Sequence, residues 1–225
     1  MTFVFIRTPV TGDVTVWRVL RQKNTWSATD SGIAAFLAAD PQPAVMLCEP
    51  DVGRRFYDGS EPAVREQYTW VGFLRHPYER FIASWRFCVQ KGWIPKDTNP
   101  VSLLQKASEV PMRVWQHVHL QQIFSLYAAN GSRIPSLLIR TEQLAEDFNR
   151  VYSRMGFQGD ANTTFRMVNK KTTPIEDWRS YYDEYPELKQ AVETAFPADI
   201  ATLPYVFDTD LTIGSLPTQL KWSVA

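Results

Sequence analysis

The stretch Trp70-Val-Gly-Phe-Leu-Arg75-His-Pro77-Tyr78-Glu-Arg80-Phe-Ile-Ala83-Ser84-Trp85 is an apolar run that ends on an arginine, followed by a proline-tyrosine turn. Such continuity, without alternation, marks a strand covered on both faces. The helix that follows offers Arg80 and Ser84 within its first two turns. A helix start presents unpaired backbone N–H groups and a partial positive charge. A guanidinium at the strand end and a hydroxyl within the helix add up to a pocket suited to a phosphate dianion. The same residues also suit a plain strand-turn-helix in which Arg75 and Arg80 pair with surface carboxylates. Residue chemistry alone leaves both readings open.

Three more apolar runs, at 3–6, 44–48 and 137–139, read as buried strands beside that at 70–74. Helical patterns lie between them. Thr29 or Asp30 can cap a helix through Ile33, Phe36 and Leu37, and residues 78–90 and 114–127 carry inward apolar positions. Thr141 can cap a further helix through Leu144, Phe148, Val151 and Tyr152, with Gly156 as its stop. Strand alternating with helix predicts an α/β fold, doubly wound about a mostly parallel sheet with a helical layer on each face, and sites at the carboxyl ends of the strands. One domain over residues 1–225 is expected from the length. Residues 92–100 read as an exposed loop, and the part from about Asn169 as helical and irregular, punctuated by Pro186 and Pro197.

Lys+Arg and Asp+Glu each number 24, so the net charge is zero. That balance exerts no global pull on nucleic acid, anionic membrane or long polyanions, and any anion site must be local. Cys48 and Cys88 sit in apolar stretches and read as buried free thiols. No His/Cys spacing suggests a metal site. The sequons at Asn130 and Asn162 are short enough to arise by chance. No apolar run is long enough to span a bilayer, nothing resembles a signal peptide, and a cytoplasmic location is expected.

Arg75-x-Pro77-Tyr78-x-Arg80 is similar to the 3′-phosphate-binding segment of sulfotransferases that use 3′-phosphoadenosine 5′-phosphosulfate, especially the carbohydrate-directed branch. Two further blocks resemble that family in the same order. One runs from His119-Leu-Gln121-Gln122 through Leu137-Leu-Ile-Arg140-Thr-Glu142-Gln-Leu144-Ala-Glu146-Asp147-Phe148 to Gly156. The other is Asp199-Ile200-x-x-Leu203-x-Tyr205-x-Phe207. The resemblance implies a P-loop-like sulfotransferase fold. It implies transfer of a sulfuryl group from that donor to a hydroxyl of a sugar or small metabolite, with Arg75, Arg80 and Ser84 holding the 3′-phosphate. An alternative is a relative of the same fold that binds a nucleotide or glycan without transfer. A phosphoryl-transfer enzyme is disfavoured, because the Gly-x-x-x-x-Gly-Lys-Ser/Thr pattern is absent.

After the first strand comes Arg7-Thr-Pro9-Val10-Thr11-Gly12-Asp13-Val14-Thr15-Val16-Trp17, a strand, a glycine-bearing turn and then a helix, a layout that aims N–H groups at a phosphate. The matching family loop is Pro-Lys-Thr-Gly-Gly-Thr-Ser. Alignment at Pro9 assigns Thr11, Gly12 and Thr15 to the 5′-phosphate. Val10 stands at the lysine, Asp13 at the second glycine and Val14 at the threonine; Ala83 stands where the family places its serine, with Ser84 next. A replacement for the missing cation can come from Arg7, Arg18 or Lys23, and Arg7 is best placed. The family draws its base from varied positions, often shortly after the second strand read here, which makes Glu49 the candidate and Asp51 the reserve; a solvated carboxylate is the other reading of Glu49. His119 can orient substrate or bond a backbone carbonyl. Arg54 and Arg55 can hold an acidic ligand or lie exposed. Asn169-Lys170-Lys171 resembles a segment that closes over the nucleotide, Lys170 being the candidate ligand, and it suits a solvated loop equally.

Overall fold

Five strands, β1 (Thr2–Ile6), β2 (Thr25–Ala28), β3 (Val45–Cys48), β4 (Tyr68–Leu74) and β5 (Leu137–Arg140), form one sheet in the order β2-β3-β1-β4-β5, every pair parallel. The computed structural model describes residues 2–20, 25–28, 30–39, 44–157 and 177–208. Parallel neighbours need crossovers, and the helices between the strands supply them. Alternation along each strand sends residues to opposite faces. Phe3, Phe5, Val45, Leu47, Val71 and Phe73 pack with Val16, Val19 and Leu20 of helix α1 (Asp13–Leu20) and with Phe148 and Val151 further along the chain. Val4, Ile6, Met46, Cys48 and Trp70 pack on the other side with Phe36 of α2 (Asp30–Leu37) and with Val52 and Phe56 of α3 (Pro50–Gly59). This is the three-layer α/β/α architecture, and β1 lies at its centre.

By chain contacts the described residues fall into two compact units. The sheet unit takes those up to Leu74 and those from Phe124 to 157; the second takes Arg75–Ile123 and 177–208. The second unit is helical. It contains α5 (Pro77–Gln90), α6 (Pro100–Gln105), α7 (Met112–Val118) and the helices Ser180–Glu184, Leu188–Ala195 and Pro197–Thr202, around Phe81, Ile82, Val114, Val118, Leu188, Val192 and Phe196. No helix among the described residues is long and apolar enough to cross a membrane.

Four of the strands fall where the apolar runs predict them. β2 does not announce itself, because Thr25-Trp-Ser-Ala holds no apolar run and among the described residues the strand pairs with β3 alone, at the sheet edge. The helix expected over 114–127 is split. It stops at Val118, and a 3₁₀ turn, Gln122–Ser125, follows. Past the break, the N–H groups of Gln122 and Ile123, which a continuing helix would turn back on itself, go instead to the Asp199 carboxylate. Thr141 does not cap as expected; its hydroxyl donates to the Leu74 carbonyl, and a 3₁₀ turn, Thr141–Gln143, leads into α8 (Leu144–Arg154). Gly156, at φ 77, lies just past the end of α8, a left-handed conformation that glycine adopts without strain. In the loop at 92–100 the Asn99 side chain caps α6, accepting the N–H groups of Val101 and Ser102. Cys48 and Cys88 are buried free thiols, and burial pushes their pKa up to about 12 and about 11. Thr29 and Asn162 lie outside the described residues.

Gly72 in β4 leaves no room for a side chain, since a Cβ there would lie 2.8 Å from Leu126 Cδ2 and 2.9 Å from Pro135 Cγ. Leu126 can turn aside but the proline ring cannot. Gly72→Ala is expected to lower stability by about 1–3 kcal/mol, read as a reduced midpoint with an unchanged slope in urea unfolding.

Candidate functional site

The register of the sheet pairs Ile6 with Cys48, so the residues that follow, Arg7 and Glu49, leave the sheet side by side. The Arg7 N–H donates to the Cys48 carbonyl at 2.8 Å. Its guanidinium bridges two carboxylates: Nε donates to Asp13 Oδ2 at 2.9 Å, and Nη1 donates to Glu49 Oε1. The two residues read from the sequence as catalytic candidates therefore form an ion pair, and Asp13 joins them. Asp13 opens α1 with its side chain 2% exposed, whereas Glu49 is 53% exposed.

Between Arg7 and α1 the chain makes a tight loop. Val10 has φ 65 and Gly12 φ 82. Glycine tolerates this region, but a β-branched residue there carries strain of about 1–3 kcal/mol. The Gly12 carbonyl accepts from Thr15 and Val16 and so begins the helix. A Cβ on Gly12 would meet Leu144 Cδ2 at 2.9 Å, which is a second reason for glycine. Thr11 is fully buried and its hydroxyl donates to the Thr8 carbonyl at 2.7 Å. Thr8 Oγ1 and Ser125 Oγ are 2.7 Å apart and share a hydrogen bond, and Thr15 is buried.

Burial raises the Asp13 pKa; Arg7 and the Val14 N–H oppose it, and the balance stays above the ordinary carboxylate value. Burial also works against the Arg7 cation, yet Asp13 and Glu49 outweigh it and its pKa rises. The start of α1 thus carries an anion of its own, neutralised by the arginine that precedes the loop.

The second unit holds the other arginines. Arg75 follows β4 directly, and its Nη2 donates to Glu79 Oε1 at 2.8 Å. Arg80 is buried to 1% exposure. Its Nη2 donates to the Leu120 carbonyl, and its guanidinium lies 5.2 Å from the centre of the Phe196 ring. Burial lowers its pKa, Asp199 opposes that and Arg75 adds to it. Ser84 sits one turn further along α5 and is fully buried. Arg80 Nε, Arg80 Nη1 and Ser84 Oγ have no hydrogen-bond partner among the described residues. Buried donors of this kind cost free energy unless an acceptor reaches them. A phosphate offers only acceptors, so this side-chain set fits one.

Of the remaining sequence candidates, Asp51 pairs with Arg55 and Arg54 with Asp58, all along α3, which leaves both arginines engaged with carboxylates. His119 hydrogen-bonds the Leu103 backbone; burial lowers its pKa, and the Arg80 charge adds to that. Lys170, with Asn169 and Lys171, lies outside the described residues. Pattern reading missed Asp13 as the partner of Arg7 and Glu79 as the partner of Arg75. The spacing of four between Arg75 and Glu79, across the start of α5, was the signal for the second; the Arg7–Asp13 pair had none.

Residues 54–206 match the sulfotransferase family, which is more than half of the chain. The chain belongs to that family, and sulfuryl transfer to a hydroxyl-bearing acceptor is the chemistry the family implies. The crystal structure of a sulfotransferase from Alicyclobacillus acidocaldarius is similar to it at 15% identity and a TM-score of 0.48, covering 89% of this chain and 98% of that one. No curated protein sequence matches the chain.

Arg7→Met would leave the Asp13 carboxylate buried without its cation. Because Arg7 is itself one-third exposed, the cost at neutral pH is expected at about 2–4 kcal/mol, toward the lower part of the range for broken buried pairs. A carboxyl whose folded pKa is raised destabilises most above that pKa, and the penalty fades as pH falls toward its unfolded value. The gap between wild type and Arg7→Met in urea unfolding should therefore narrow from pH 7 down to the acid range.

Proposed function

We propose that this protein, taken as one sulfotransferase domain over residues 1–225, moves a sulfuryl group from 3′-phosphoadenosine 5′-phosphosulfate to a hydroxyl of a sugar or small metabolite. The observation that carries this reading is the buried set on α5, where Arg80 Nε and Nη1 and Ser84 Oγ lack acceptors among the described residues. That helix begins two residues after Arg75, in a chain of the sulfotransferase family. In this reading Arg75, Arg80 and Ser84 hold the 3′-phosphate. Thr11, Gly12 and Thr15 hold the 5′-phosphate, and Thr11 must first exchange its bond to the Thr8 carbonyl. Lys170 is a further ligand by resemblance. The donor supplies the sulfuryl group. Glu49 takes the proton from the acceptor hydroxyl, and Arg7, bonded to Glu49, orients it and offsets charge on the departing phosphate.

A second reading is a relative that binds a nucleotide or glycan without transfer. Asp13 favours it, because a buried carboxylate at the start of α1 opposes a second anion there. Radiolabelled sulfate transfer to a panel of hydroxyl acceptors separates the two.

Arg75→Ala is expected to weaken 3′,5′-adenosine bisphosphate binding by about tenfold or more, the value of one charge-assisted hydrogen bond, and to leave adenosine 5′-monophosphate binding nearly unchanged. Calorimetry with both ligands reads this directly, and equal losses would remove the 3′-phosphate role. Glu49→Gln keeps the side-chain shape but cannot take a proton. Turnover should fall by about a hundredfold or more with adenosine bisphosphate affinity intact, in steady-state kinetics paired with calorimetry.

A further inference from the structure

One amide side chain holds the backbone of Arg75 on both sides. Gln122 Oε1 accepts the Arg75 N–H at 2.8 Å, and Gln122 Nε2 donates to the Arg75 carbonyl at 2.8 Å. Two opposed bonds from one planar group fix the Arg75 backbone in both position and rotation, and the neutral amide offers the donor and the acceptor in one plane. Gln122 is held in turn. Asp199 Oδ2 accepts its N–H at 2.8 Å and Asp199 Oδ1 accepts the Ile123 N–H at 2.9 Å. The neighbouring Gln121 returns the bond, its Oε1 accepting the N–H groups of Ala198 and Asp199 at 3.1 and 3.3 Å. Gln122 and Asp199 are fully buried, so water does not compete for these groups.

We infer that Gln122 is the positioning residue for Arg75, fastened by Asp199, and that this clamp aims the Arg75 guanidinium at the 3′-phosphate of the nucleotide donor. The inference rests on the reading of Arg75 given above. It gives a physical role to two blocks of the sequence, Gln121-Gln122 and Asp199, that supply no ligand themselves. Arg75 sits where the chain leaves β4 and turns into α5, so its backbone has no helical turn before it to hold it. A misplacement of about 1 Å at a binding group is enough to cost a large factor in affinity or rate.

The test uses the full chain and two variants. Gln122→Leu removes both bonds to Arg75. Gln122→Met is close in length and shape and likewise removes both bonds to Arg75; it serves where the leucine variant does not fold. Dissociation constants for 3′,5′-adenosine bisphosphate and adenosine 5′-monophosphate are measured by calorimetry, each variant alone and combined with Arg75→Ala. Clamping predicts a loss of about tenfold or more for the bisphosphate and less than about twofold for the monophosphate. It also predicts no further loss when Arg75→Ala is already present, a coupling that a merely structural role would not produce. Equal losses for both ligands, or losses that add to that of Arg75→Ala, overturn the clamp. If Arg75→Ala abolishes the preference for the bisphosphate and the Gln122 variants retain it, the clamp falls and the Arg75 reading stands. If Arg75→Ala itself leaves that preference intact, the Arg75 reading falls and takes the clamp with it.

Discussion

Strand β1 has hydrogen-bonded neighbours on both edges and apolar packing on both faces, so the first place it can present a polar side chain to chemistry is beyond Ile6. β3 and β4 are buried along their whole length in the same way. Each is followed at once by a charged residue: Arg7 after β1, Glu49 after β3, Arg75 after β4. A parallel sheet points all its carboxyl ends in one direction, which is why such sheets gather polar groups there. The in-register pairing of Ile6 with Cys48 then decides that Arg7 meets Glu49.

Among the described residues three aspartates, Asp13, Asp147 and Asp199, are buried, and each is satisfied by a particular set of donors. Asp13 takes Arg7. Asp147 takes the Arg140 N–H together with Nε and Nη2 of the same residue. Asp199 takes two backbone N–H groups and faces the charge of Arg80. Burying a charge costs several kcal/mol, which its pairing roughly offsets, so these contacts add little net stability while a broken one is expensive. Their effect is geometric. Asp147 ties the start of α8 to the end of β5, and Asp199 holds the start of the 3₁₀ turn Gln122–Ser125.

The match to the sulfotransferase family takes in Arg75, Arg80, Ser84, Gln122 and Asp199 and begins after Arg7, Asp13 and Glu49. The two groups of candidate residues also differ in how they are held. Arg75 is bonded through its backbone N–H and carbonyl to the buried Gln122. In the loop after β1, a buried carboxylate opens α1 and one arginine is shared between two acids.

The α/β class, four of the five strands and the helices α2, α5 and α8 were legible in the sequence, because continuous apolar runs and helical spacing are local signals of burial. Arg7, Glu49 and Arg75 could be picked out for the same reason, each following a run that had to be a covered strand. β2 was not legible, since an edge strand with one neighbour needs no apolar run. Nor was the break after Val118, the bond from Thr141 to Leu74 or the pairing of Asp13 with Arg7. Periodicity records which side chains leave water, and it determined the layers. Which buried donor meets which acceptor depends on groups as far apart as Gln122 and Asp199, and only the tertiary structure, which brings them within hydrogen-bond distance, decided that.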